Sequence, residues 1–131
     1  MRLVIGGRAQ GKLDYVLSRW NLQKDLVWEG IPAKGDLPHL IERGTPLIVN
    51  HFHLWVRRRI EEGRSPEEEM AALLDSCEDC IIICDEVGNG IVPIEPFERE
   101  YRERVGRLLI WLADRAEEVE RVICGIGQKI K

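Results

Sequence analysis

The sequence predicts a single α/β domain, a mostly parallel β-sheet with helices on both faces. Three observations carry that expectation. Cys80-Ile81-Ile82-Ile83-Cys84 is too short for a typical helix and rich in β-branched residues, so it reads as a strand buried on both sides. Leu3-Val4-Ile5 runs straight into Gly6-Gly7-Arg8-Ala9-Gln10-Gly11-Lys12, after which Leu13, Val16, Leu17 and Trp20 recur at helical spacing, giving strand, loop and helix in succession. Strand-like and helix-like segments then alternate along the chain, the pattern of parallel strands joined by crossovers.

Taken in order, Leu26-Val27-Trp28 reads as a second short strand, and Leu37, Leu40 and Ile41 mark a short helix that Gly44 ends. Pro46 to Asn50 reads as a strand, and Phe52 to Glu62 as a helix with Arg57, Arg58 and Arg59 near its middle. Ser65-Pro66-Glu67-Glu68 opens the next helix with an N-cap, a proline in the first turn and acids that suit the helix dipole. That helix is expected to end near Cys77. A strand from Cys80 to Val87 follows, then a loop through Pro96. A long helix from about Phe97 to Glu117 carries the stripe Tyr101, Val105, Leu108, Leu109 and Leu112, and Val119 to Cys124 supplies the last strand.

At 131 residues the chain has the length of one domain. A net charge of −4 argues against a nonspecific nucleic-acid partner. No apolar run approaches the ~18 to 20 residues of a membrane span, and the opening reaches glycine too soon to form the apolar region of a signal peptide. The expected location is therefore the cytoplasm, with Cys77, Cys80, Cys84 and Cys124 as reduced thiols. Cys77 and Cys80 have C-x-x-C spacing, but no second pair of matching spacing completes a zinc set, and Cys80 and Cys84 share a strand face where small thiols pack well.

The chemistry gathers at strand ends. A phosphate loop needs glycines so that backbone N–H groups converge on a phosphate, a lysine to neutralise the β and γ oxygens, and usually a hydroxyl for magnesium. Gly6, Gly7, Arg8, Ala9, Gln10, Gly11 and Lys12 meet the first two needs, while Leu13 stands at the hydroxyl position. Asp85 and Glu86 close the apolar strand at Cys80 and are placed for phosphoryl transfer, where one acid holds Mg2+ and another orients an attacking hydroxyl. Gly88 and Gly90 loosen the following loop. His51 and His53 are candidate ligands or bases, or else cap a helix; His39 is a weaker candidate. Arg57 to Arg59 are expected on a solvated or interface face, and Glu98, Arg99 and Arg102 in surface ion pairs.

These residues carry a resemblance. Glu86-Val87-Gly88-Asn89-Gly90-Ile91-Val92-Pro93, then Tyr101-Arg102, Gly106-Arg107, Ala113-Asp114, Val119 and the ending Gly125 to Lys131 are similar to the second half of the bifunctional adenosylcobinamide kinase and adenosylcobinamide-phosphate guanylyltransferase family. Ile5 to Lys12 resembles that family's phosphate loop, and Leu47 to Trp55 its central strand. The resemblance implies a RecA-like P-loop fold and a place in late cobalamin assembly. It implies ATP or GTP bound on Gly6 to Leu13 and a γ-phosphate moved to the hydroxyl of the corrinoid adenosylcobinamide. Lys12, Asp85 and Glu86 would be the catalytic groups, Asp85 the magnesium ligand, and the assembly a homo-oligomer, a trimer.

Three departures qualify the resemblance. Leu13 replaces the family's Ser or Thr, and Asn50 replaces the Asp that ends its central strand. Between Trp20 and Leu26 the chain lacks the strand and helix that bear the family's guanylylated histidine, so guanylyltransfer is expected to be lost. Asp85 stands where the family usually has Asn, and so supplies an acid from the neighbouring strand. Two readings stay open on the sequence: a corrinoid kinase, and a noncatalytic nucleotide- or corrinoid-binding subunit with a degenerate phosphate loop. A third is a relic that binds nothing.

Overall fold

The computed structural model describes residues 1–30 and 46–131. The short helix expected around Leu37 to Gly44, and His39 with it, lie outside the described residues. The elements run β1 (Arg2–Gly6), α1 (Lys12–Arg19), a 3-10 turn (Lys24–Leu26), β2 (Val27–Glu29), β3 (Leu47–Asn50), α2 (Phe52–Glu61), α3 (Pro66–Ser76), β4 (Cys80–Asp85), α4 (Pro96–Arg115), β5 (Glu118–Ile123) and β6 (Ile126–Lys129).

The strands form one sheet in the order β2-β3-β4-β1-β5-β6. All neighbours pair in parallel except β5 with β6. β1 is central, with Gly6 opposite Asp85 on β4 and Ile5 opposite Arg121 on β5. Alternation along each strand divides the core between the two faces. Leu3, Val49, Cys80, Ile82 and Cys84 meet Phe52, Trp55, Val56, Met70, Leu73, Tyr101, Val105, Leu108 and Leu112 from α2, α3 and α4. Val4, Ile48, Ile81, Ile83 and Val122 meet Val16 of α1, with Leu13, Leu17 and Trp20 against its margin. The α/β architecture with helices on both faces is therefore as the sequence predicts.

Helix α3 follows its local signals: Ser65 Oγ accepts the Glu68 N–H at 3.3 Å, Pro66 sits in the first turn, and Glu67 to Glu69 supply the acids. Helix α4 buries Tyr101, Val105, Leu108 and Leu112 at spacings of three and four. Each such leucine or valine stabilises the fold by about 1.5–3 kcal/mol, so a charge at Val105 would strip α4 from the sheet. Two of the three arginines of α2 tie it to its neighbours, Arg57 to α4 and Arg59 to α3, while Arg58 pairs within its own helix end. Arg57 lies 5.3 Å over both the Phe97 and Tyr101 rings and pairs with Glu98, Arg58 pairs with Glu62 at 2.9 Å, and buried Arg59 reaches Glu62 and Glu69 at 2.9 Å. Among the described residues no helix is long and apolar enough to cross a membrane.

Two boundaries differ from expectation. β4 stops at Asp85 rather than Val87, because beyond Glu86, whose N–H reaches the Gly6 carbonyl at 3.0 Å, β1 offers no further partner. β5 is not the last strand: Cys124 (φ 50°) and Gly125 (φ 75°) make a two-residue left-handed turn, and the chain returns as β6 with Ile126 opposite Ile123.

Candidate functional site

The loop after β1 and the end of β4 face each other across a crevice at the carboxyl edge of the sheet, beside the central strand. The path of the loop past β5 depends on a missing side chain. A Cβ on Gly6 would lie 2.4 Å from the Val122 carbonyl oxygen, so no other residue lets the loop leave β1 so close to β5. Ala9 (φ 56°) and Gly11 (φ 82°) both take left-handed backbone, the kind of local turn from which anion-binding concavities of backbone N–H groups are built. The loop is also held from outside. Gln10 Oε1 accepts the Cys124 N–H at 2.7 Å, and the Gln10 carbonyl accepts the Gly125 N–H at 2.8 Å.

Helix α1 starts directly behind the loop with no side-chain cap, leaving its first N–H groups without a capping side chain. Its first residue, Lys12, is buried, donates to the Gly7 carbonyl at 2.7 Å, and places Nζ 2.6 Å from Asp85 Oδ1. The same helix is fixed to the sheet by Tyr15, whose hydroxyl donates to Glu120 at 2.5 Å across the position where Gly127 leaves room for the ring.

His53, in the first turn of α2, joins Lys12 and Asp85. Its Nδ1 accepts the Asp85 N–H at 3.2 Å, its Nε2 lies 3.5 Å from Asp85 Oδ2, and its carbonyl accepts the Tyr101 hydroxyl at 2.9 Å. Burial pushes the imidazole down to about 4, against the opposing pull of the Asp85 carboxylate. The ring is neutral at pH 7, and with Nδ1 accepting, its proton sits on Nε2 toward Asp85. A second cluster lies alongside at the end of β3: Asn50 Nδ2 donates to Glu29 Oε1 at 3.0 Å, and His51 Nδ1 lies 2.8 Å from Glu29 Oε2.

These groups line a cavity of about 710 Å³, formed by Arg8 to Asp14 with Asn50, His51, His53, Leu54 and Asp85. That is within the ~300–1,000 Å³ range of small-molecule sites. The structure thus brings Arg8, Ala9, Gln10, Gly11, Lys12, Leu13 and Asp85 together, with Gly6 and Gly7 forming the root of the loop. Glu86 is not among the lining residues: Arg121 Nη2 donates to Glu86 Oε2 at 3.1 Å, and Arg121 Nε lies 3.0 Å from Oε1. Leu13 brings no oxygen, and the Asn50 amide donates to Glu29. Among the described residues no group of three or more His, Cys, Asp or Glu is arranged to hold a metal. One carboxylate, Asp85, suits an ion that draws most of its oxygens from water and phosphate, as Mg2+ does.

Neither Leu54 nor Asp14 carries a site role on the sequence alone, where Leu54 belongs only to the leucine-tryptophan after the central strand, and His53 stays open there between ligand, base and cap. The sequence also places Arg102 in a surface ion pair. Instead Arg102 donates to the Gly88 carbonyl at 2.5 Å and the Ile91 carbonyl at 2.6 Å, pinning the glycine loop that follows Glu86. The Glu98 ion pair is present, with Arg57.

The fold and site define a class: a parallel α/β domain with a glycine-rich strand-to-helix loop set against a carboxylate on the adjoining strand. The family model for cobinamide kinase / cobinamide phosphate guanyltransferase matches residues 17–130, and the chain belongs to that family. The match begins inside α1, so the loop itself is characterised by its geometry. The chain is 39% identical over 72 residues to the bifunctional adenosylcobalamin biosynthesis protein CobU of Salmonella typhimurium, covering 52% of this chain and 40% of that protein. It is 40% identical over 67 residues to CobU of Escherichia coli, covering 48% and 37%. It is 27% identical over 96 residues to the bifunctional adenosylcobalamin biosynthesis protein CobP of Pseudomonas aeruginosa, covering 69% and 56%. The matched segments therefore span about half or less of each relative's length.

Proposed function

We propose that residues 1–131 act as one nucleotide-binding domain of the adenosylcobinamide kinase type, holding ATP or GTP on Gly6 to Leu13 and transferring the γ-phosphate to the hydroxyl of adenosylcobinamide. The observation that carries this reading is Lys12, buried at the mouth of the loop with its ammonium 2.6 Å from Asp85. A triphosphate offers that ammonium a stronger set of oxygens, so Lys12 turns to the β and γ phosphates while the loop N–H groups take the β-phosphate. Asp85, still oriented by His53, is then the carboxylate that would hold Mg2+, which supplies charge neutralisation at the phosphates.

In the transfer, the acceptor oxygen forms a bond to the γ-phosphorus, the bond to the bridging β–γ oxygen breaks, and the nucleoside diphosphate leaves. The hydroxyl proton passes to a carboxylate. Glu86 is assigned that role once its pairing with Arg121 is given up to the substrate. The guanylyltransferase half of the family's activity is read as lost in this chain, and the working assembly as a cytoplasmic homo-oligomer, a trimer.

A second reading is favoured by specific residues: Leu13 and Asn50 remove two magnesium-supporting groups, and Glu86 is engaged by Arg121. It makes the protein a noncatalytic nucleotide- or corrinoid-binding subunit. A mass-resolved assay with adenosylcobinamide, magnesium and ATP or GTP separates the two. Corrinoid phosphate that forms with the wild type and vanishes in Lys12→Ala supports the kinase. Nucleotide binding without product establishes the noncatalytic subunit.

A further inference from the structure

The cluster at the end of β3 faces the nucleotide cavity but has no part in the transfer to the acceptor. His51 stands between the last residue of β3 and the first of α2, with left-handed backbone (φ 53°, ψ 42°). For a histidine that conformation is uncommon, and it persists only where the surroundings enforce it. Here the Gly30 N–H donates to the Asn50 carbonyl at 2.9 Å, and a Cβ on Gly30 would lie 2.5 Å from the His51 carbonyl oxygen. The result is a strand-to-helix elbow at the carboxyl edge of the sheet, and its side chain lines the cavity with Lys12, Asn50, His53 and Asp85.

The imidazole is oriented as well as exposed. β2 pairs with β3 so that Glu29 is opposite Asn50. Glu29 Oε2 lies 2.8 Å from His51 Nδ1, and the Asn50 amide donates to Oε1 at 3.0 Å and to Oε2 at 3.3 Å, with its nitrogen 3.2 Å from Nδ1. An ionised carboxylate only accepts, so the Nδ1 proton points to Glu29 and the neutral ring keeps its lone pair on Nε2. Among the described residues the ring's polar contacts are all at Nδ1, and the side chain is 46% exposed, so water reaches Nε2. A short chain of neighbours joins it to the phosphate end of the cavity. Lys12 Nζ is 2.6 Å from Asp85 Oδ1, Asp85 Oδ2 is 3.5 Å from His53 Nε2, and the His53 and His51 ring centres are 6.1 Å apart.

We propose that His51, positioned by Glu29, is a general base for water, and that the domain hydrolyses its nucleoside triphosphate while no acceptor alcohol is bound. The inference rests on the reading of the cavity as a nucleotide site. It follows from which base is in place. Glu86, assigned to the acceptor hydroxyl, is held by Arg121 and does not line the cavity, whereas His51 lines it already oriented. A residue that orients the nucleophile in phosphoryl transfer serves a water as well as an alcohol. In the step, the water oxygen forms a bond to the γ-phosphorus, the bond from that phosphorus to the β–γ bridging oxygen breaks, and the nucleoside diphosphate leaves with the electron pair. The water's proton passes to His51 Nε2, Glu29 stabilises the imidazolium, and the proton then leaves to solvent. One triphosphate and one water give one diphosphate, one inorganic phosphate and one proton.

The test is phosphate release from GTP and, separately, ATP by the full wild-type chain with magnesium and no corrinoid, alongside calorimetric binding of the same nucleotide. The expected result is one phosphate released for each diphosphate formed. His51→Gly, which keeps the positive φ, is expected to lower kcat about 100-fold, the lower end of what a general base supplies, with nucleotide affinity unchanged. Imidazole added to that variant should restore turnover. Glu29→Gln should lower kcat without moving KM, and Glu29→Asp should recover part of the loss, a pattern that a purely structural role for Glu29 would not give. Nucleotide that binds without releasing phosphate, or release by His51→Gly as fast as by the wild type, would overturn the proposal and leave the nucleotide reading standing. No binding of either nucleotide would overturn both.

Discussion

Removing the Lys12 ammonium tests the geometry on which the site rests. Nζ and Asp85 Oδ1 are 2.6 Å apart, with the lysine 7% and the aspartate 17% exposed. At an effective dielectric constant near 20, the gross attraction of two charges at that separation is roughly 6 kcal/mol. Desolvation offsets much of it, and breaking a buried pair by deleting one partner costs about 3–5 kcal/mol. The partial exposure of Asp85 places this pair at the lower end, about 3 kcal/mol. Lys12→Met is therefore expected to lower the melting temperature by about 11 °C, given an unfolding entropy near 2.1 cal/mol/K for each residue of the chain. Asp85→Asn strands the ammonium instead and is expected to cost about as much.

The double variant discriminates. With both charges gone, no buried charge is left unpaired, so the loss should be close to that of one single variant, a coupling of about 2–3 kcal/mol. The assay is urea unfolding by circular dichroism at neutral pH without nucleotide. Single losses that add to within about 0.5 kcal/mol would refute the reasoning, since that is the behaviour of independent sites.

Other expectations follow from particular contacts. Gly6→Ala drives a methyl group onto the Val122 backbone oxygen, 2.4 Å away, and should cost about 1–3 kcal/mol in a denaturant melt. Tyr15→Phe removes the 2.5 Å hydrogen bond to the buried Glu120 carboxylate and should cost about 2 kcal/mol in the same measurement. Arg102→Ala frees the Gly88 and Ile91 carbonyls, so amide exchange in 88–94 should accelerate while global stability stays within about 0.5 kcal/mol. The Arg104 hydrogen bond holds the Glu67 carboxyl below its ordinary value. Its contribution is present above the unfolded carboxyl's range and lost as pH falls through the folded value, so wild type and Glu67→Gln should converge in stability in acid, as pH-dependent melts can check.

What could be read from the sequence was what depends on short stretches of chain. Cys80 to Cys84 announced β4 because a β-branched run buried on both faces has few alternatives, and Ser65-Pro66 announced α3 because capping is local. The end of β4 was misplaced because it depends on where β1 stops pairing, which Val87 does not reveal. β6 was hidden because Cys124 gives no turn signal, although Gly125 takes the left-handed backbone beside it. At the site, the glycine spacing marked the loop and the strand end marked Asp85. The placement of His53 against Asp85, and of Arg121 against Glu86, came from packing α2 against β4 and from β5 lying one strand beyond β1, contacts between residues 32 and 35 positions apart. The anchoring of Gln10 to the β5–β6 turn was beyond local reading for the same reason, with 114 positions between the partners.

The central claim is that the cavity behind Gly6 to Leu13 receives a nucleoside triphosphate and that Lys12 grips its phosphates. Calorimetric titration of the full chain with GTP and, separately, ATP in the presence of magnesium tests it most directly, with Lys12→Ala alongside. The account predicts saturable one-site binding that weakens in the variant by about 2 kcal/mol or more, roughly 30-fold. Binding of equal strength in both proteins, or no saturable binding of either nucleotide to the wild type, would contradict it.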